Sequence, residues 1–378
     1  MSGDPLPNRR TLIAALGAAA ALVGLAATGF VVADRERSEP LAPADTAYGL
    51  TSEGAGVRRL APDGRVLARA ALPEPPTGLT LVPGAARAVA HVTGTNRLWS
   101  MGAARLDGTI ERALGHDPEI VAPRPGRPHV AVAGIGEGAL TLLDARDLAV
   151  LARLDGLRAP HDLRFDADGA RLHVSLLDAP EVLTLDADTL KPLSRLLLPF
   201  PRGVDHMSAT VDGRLGVAAS PGEAAVAIVS LRGAPTLEAH VPMPTPVSRA
   251  YTGPRGDLVW LPSTDEPVLN RLDLATGAVS AHALPGIARG IVFEPFADTF
   301  LVLTDVGLAR ADRAGDVSQR DDMRAVAGTA IESAAGAMLL GGNGRVAWQP
   351  AHRPLGAVPL DAEPLFRVTG LNALSYCH

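Results

Sequence analysis

Lysine and cysteine are almost missing from this chain. Lys191 and Cys377 are each the single occurrence of their type among 378 residues. One cysteine excludes an intramolecular disulfide, even in a compartment that would oxidise one. Aromatic residues make up only 3% of the chain, so a core must be built from Val, Leu, Ala and Ile on strand faces. Formal net charge is −6, which excludes a broad basic field for nucleic acid. Enzyme signatures are missing as well. There is no Gly-rich phosphate loop, no Gly-x-Ser-x-Gly elbow, no Cys-x-x-Cys-His haem attachment and no zinc-protease spacing. Trp99, Trp260 and Trp348 are too few for the tryptophan-docking repeats of quinone-dependent propellers, and read as packing residues. These absences favour a non-catalytic protein.

What is present is a repeat. From Ala139 to Leu177 the chain reads as a hairpin, a Pro-His step, a strand, an Asp-Gly turn and a strand. Leu163 and Phe165 alternate with Arg164 and Asp166, the period of a strand, and Asp168-Gly169 supplies the turn. Aligned on that turn, the phrase recurs at Gly84, Gly126, Gly169, Gly213, Gly256, Asp298 and Gly336, in steps of 42, 43, 44, 43, 42 and 38 residues. A two-strand hairpin precedes each turn, and another lies at 346–361. Such a period is one propeller blade. The expected fold is therefore an all-β β-propeller of eight four-stranded blades. Seven is the alternative, because 305–360 is least regular. The last strand, LFRVTGLNALSYCH, lacks partners. Thr46–Ser52 (TAYGLTS), whose counterpart elsewhere is RLHVSLL, is expected to supply the missing outer strand and close the ring.

PHDLRFDADGARLHVSLLDAPEVLTLDADTL resembles the YVTN-type propeller repeat of many exported bacterial proteins. That resemblance implies a propeller and little about activity. VDHMSATVDGRLGVAAS is more distantly similar to the haem-d-binding propellers of periplasmic nitrite reductases and their haem-biosynthesis relatives. That similarity implies a cofactor-handling role, with haem as the cofactor.

Residues 1–33 resemble a twin-arginine export signal: Arg9-Arg10 stand before an uncharged run from Thr11 to Ala33. The run is also long enough for a membrane anchor. Either reading places residues 46–378 in the periplasm, free or held at the inner membrane. Residues 34–45 (DRERSEPLAPAD) read as a linker.

The candidate site follows from register. Seven residues before each turn stand Thr77, Glu119, Asp162, His206, Arg249, Ile291 and Thr329, and one residue earlier Pro76, Pro118, His161, Asp205, Ser248, Gly290 and Gly328. These positions open the innermost strand of each blade, so they ring one mouth of the axial channel. Glu119, His161, Asp162, Asp205, His206 and Arg249 belong to neighbouring blades, with His116, Asp117 and Arg289 close by. Mixed carboxylate, imidazole and guanidinium groups in a concavity suit a small ligand or a periplasmic protein partner. The competing expectation is that they cap backbone groups of adjacent blades. His161 and His206 with a carboxylate could also hold zinc. A calcium-dependent hydrolase would need more axial carboxylates than Glu119, Asp162 and Asp205. Cys377-His378 reads as a chain end, and His129 and His173 read as equivalent repeat residues within the sheet.

Overall fold

A computed structural model describes residues 47–370 apart from 52–54, 211, 248, 254, 295–298, 321–331, 334–335, 341–343, 351–352, 357, 361–364 and 366. The expectations for residues 1–45, Ser248, Asp298, Gly328, Thr329 and Cys377-His378 lie outside the described residues. Eight four-stranded antiparallel sheets form an eight-bladed propeller. Among the described residues there is no α-helix, hence none long and apolar enough to cross a membrane.

The blades begin with Gly78–Val82, Ile120–Pro123, Pro160–Phe165, His206–Ala209, Tyr251–Thr252, Ala288–Glu294 and Glu332–Ser333, and the eighth with Arg367–Gly370. First strands of successive blades lie side by side around the axis. Blade three shows the unit: Pro160–Phe165, Arg171–Leu176, Glu181–Asp186 and Pro192–Leu197 in spatial order. Both faces of each blade are covered by neighbours. Its second strand is therefore buried almost throughout, and only the outermost strand keeps an alternating pattern.

The turn glycines stand as expected at four places: Gly126, Gly169, Gly213 and Gly256 have φ of 62, 70, 65 and 68°. In blade one a short 3₁₀ turn, Pro83–Ala85, passes the left-handed residue to Ala86 instead. Gly336 is not a turn residue but opens the strand Gly336–Leu340.

Ring closure joins the two ends of the described chain. Ala47, Tyr48, Gly49 and Leu50 pair with Gly370, Thr369, Val368 and Arg367. One correction is needed. Ala47–Thr51 is the second strand of blade eight, between Arg367–Gly370 and Gly56–Leu60, and not the outer strand. Its counterpart RLHVSLL is likewise second in blade three.

Apolar side chains fill the seams between blades. Between blades two and three, Leu140 and Leu142 meet Leu163, Val174, Leu183 and Leu185. Trp260 is fully buried against Phe300, ring centroids 5.4 Å apart, and Trp348 packs at the blade seven–eight seam. Side chains then reach across the seams to main-chain carbonyls about one repeat away. Tyr48 donates to Ala103 O, Thr80 to Val121 O, Arg124 to Gly169 O, Arg164 to Met207 O and Arg271 to Arg313 O.

Candidate functional site

The inner strands of blades two to six open on the same mouth as the loops between second and third strands. Glu119 precedes its strand by one residue and is half-buried. Its Oε2 accepts the amides of Ile135 and Gly136 at 2.5 and 3.4 Å, within its own blade. Asp117 reaches back to blade one, where both carboxylate oxygens accept Gly94 N–H at 2.8 and 2.7 Å. His116 is buried, with Nε2 2.9 Å from Thr141 Oγ1. Glu119 and Asp117 do the backbone capping that was the competing expectation.

Blades three and four present inverted dipeptides, His161-Asp162 and Asp205-His206, and the structure pairs them crosswise. His161 Nδ1 lies 3.1 Å from Asp205 Oδ1 and 2.6 Å from Asp205 O. With oxygen acceptors only, that nitrogen carries the proton. His206 Nδ1 lies 3.0 Å from Asp162 Oδ2. The two pairs differ in depth. The His161 and Asp205 side chains are 19% and 24% exposed, whereas those of His206 and Asp162 are 8% and 11% exposed.

Asp162 also accepts Met207 N–H at 2.9 Å and faces Arg164, whose Nε donates to Met207 O at 3.0 Å. One strand thus grips both main-chain groups of Met207 across the seam. Burial opposes ionisation of Asp162, but Arg164, His206 and the Met207 amide outweigh it and hold its carboxyl at about 2. The partial solvation expected of a mouth ring is therefore corrected for Asp162 and His206, which lie inside the seam. Arg164 was missed as a member of this group. Its alternation with Leu163 read only as strand patterning.

Arg249 is half-buried and stands two residues before the inner strand of blade five. Arg289 is 44% exposed, with Nη2 3.8 Å from Asp305 Oδ2, while Asp305 Oδ1 accepts Ile287 N–H at 2.9 Å. The ladder of blade six shifts between Ala288 and Gly290, and that of blade three between Pro160 and Asp162. Arg289 and His161 are the residues left over, so they are structural equivalents. This corrects the register, which had set His161 against Gly290.

Among the described residues no three of His, Cys, Asp and Glu converge as metal ligands. His161 and His206 each turn Nδ1 to a different carboxylate, so the zinc expectation finds no shared point. His129 and His173 are not equivalent either. His129 opposes Asp144 and Arg171 opposes Asp186, which makes His129 the counterpart of Arg171. His173 is fully buried, with Nδ1 3.0 Å from Thr184 Oγ1.

No family model matches this sequence, and no curated protein matches it. Solved structures do match in shape. Dihydro-haem d1 dehydrogenase NirN in complex with DHE is 16% identical, with a TM-score of 0.69 over 88% of this chain and 76% of that one. Apo AztD from Citrobacter koseri is 14% identical, with a TM-score of 0.66 over 87% and 98%. BamB from Moraxella catarrhalis is 16% identical, with a TM-score of 0.65 over 84% and 95%. At such identities the likeness establishes the propeller fold alone.

Proposed function

We propose that this protein is an exported, non-catalytic propeller that binds a small ligand or a protein partner at the mouth formed by blades two to six. Supporting this reading, Asp117, Glu119, His161, Asp205, Arg249 and Arg289 stand at or just before the start of the inner strands of successive blades. Export rests on Arg9-Arg10 ahead of the uncharged run. Changing both to Lys should retain the protein in the cytoplasm, and an unchanged periplasmic yield would refute the twin-arginine route. The binding test is mass spectrometry of small molecules that co-purify with the periplasmic protein. His161→Ala and Arg249→Ala should lose the bound species at wild-type melting temperature. Full retention by both variants refutes the mouth as the site.

A second reading, haem handling, draws on the fold shared with NirN, which was solved with DHE. His161 would be its mouth imidazole. An absorbance spectrum with a Soret band would favour it over the first reading.

A further inference from the structure

Blades three and six break their innermost ladder at the same place. A bulge gives a strand one residue more than its partner can pair, and that residue is re-aimed out of the sheet. In blade three the released residue is His161, and in blade six it is Arg289. The inner strands of blades one, two and four are paired without such a shift, whereas blade five steps by one residue between the Val247–Ser263 and Tyr251–Trp260 pairs. Among the described residues the bulge sets His161 and Arg289 at this entry position.

The two are held differently. His161 has its Nδ1 on Asp205, a neighbour at ion-pair distance. Arg289 meets Asp305 only at 3.8 Å, and one oxygen of that carboxylate already accepts Ile287 N–H. Arg289 remains 44% exposed. The preceding blade brings Arg249 to the same mouth. The carboxylates of blade two, by contrast, face backbone amides. A guanidinium is a planar fork of donors that suits carboxylate or phosphate oxygens two at a time, and it stays charged at every physiological pH.

Resting on the mouth-binding reading, we propose that the ligand is anionic, carrying a carboxylate or phosphate group, and that Arg289 is its anchor with Arg249 beside it. The probes are citrate and inorganic phosphate, titrated calorimetrically into the full-length protein at low ionic strength. Saturable binding of either anion is expected, weakened about tenfold, or ~1.4 kcal/mol, by Arg289→Gln and by 0.5 M sodium chloride. Arg195→Gln is the matched control, since Arg195 pairs with Glu181 on the outer strand of blade three. It should bind as wild type. Melting curves confirm that each variant is folded. Absence of saturable binding to both anions overturns the proposal, as does equal binding by wild type and Arg289→Gln, or an equal loss in both variants. If His161→Ala and Arg249→Ala shed the co-purifying species while Arg289→Gln keeps it, the anion anchor is wrong and the mouth site stands.

Discussion

Asp162 and His173 both have lowered pKa values in the folded protein, and each leaves its own mark on stability. The carboxyl of Asp162 falls from 3.8 to about 2 in the folded protein. A depressed carboxyl stabilises the fold above its unfolded value, and that contribution is lost as pH falls from about 4 to about 2. Asp162→Asn should cost about 2 kcal/mol at neutral pH and flatten the stability profile in that window. Burial, and then Arg171, pushes His173 from 6.5 down to about 4. The unfolded chain therefore takes up a proton before the folded one, and the protein loses stability as pH falls from 6.5 towards 4. His173→Gln keeps a partner for Thr184 without the titration. Between pH 7 and 4.5 wild type should lose about 2 kcal/mol more than this variant, as read by urea unfolding at each pH. Equal losses would mean His173 is not the group responsible. The dipeptides His161-Asp162 and Asp205-His206 stood out in the sequence as a polar ring. Their crosswise pairing and unequal depth did not, because strand periodicity says nothing about which blade a side chain faces.

At the level of strands and turns, seams between blades are set by a few reaching side chains. Arg124 is 4% exposed on the face opposite the mouth. It donates to Gly169 O, Ala187 O and the Asp188 carboxylate, and meets His129 Nδ1 at 3.2 Å. Arg124→Ala should cost about 3 kcal/mol in urea unfolding, and Arg124→Lys should recover little, since one ammonium cannot span the same acceptors. A full rescue by Lys would show that charge alone matters. Gly203 sets the other kind of limit. A Cβ there would lie 1.6 Å from Leu177 O, on the segment that carries Asp205 to the mouth. Gly203→Ala should push that segment off blade three and weaken the His161–Asp205 pair, visible as a change in the His161 imidazole nitrogen chemical shifts by NMR. Unchanged shifts would count against this coupling. The turn glycines exposed the blades in the sequence because positive φ demands them. The bulges at His161 and Arg289 had no such marker, since a single extra residue hides inside the variation in repeat length.

For the whole molecule the decisive contact is the one that makes a ring of an open stack. Eight repeats were countable from turn spacing, and the pairing of the two ends followed from the incomplete last repeat. The place of Ala47–Thr51 within its sheet was misread, because a lone strand of this length carries no mark of second or outer position. Closure puts one strand from each end into blade eight, with Leu365 packed against Gly49 and Arg367 Nη1 donating to Thr77 O of blade one. Because Arg367 sits on the mouth side, Ala47 and Gly370 lie on the opposite face, away from the candidate site. Removing residues 366–378 takes the innermost strand from blade eight. Ala47–Thr51 then becomes a free edge, and blade one loses a neighbour on its axial side. Each blade buries its apolar faces only against the next, so one missing strand weakens two seams at once. The truncated protein should unfold over a broad transition at lower temperature and associate through its open edge. Scanning calorimetry and size-exclusion chromatography read both effects. A sharp wild-type melt in a monomeric truncated protein would show that the other seven blades hold the ring without its clasp.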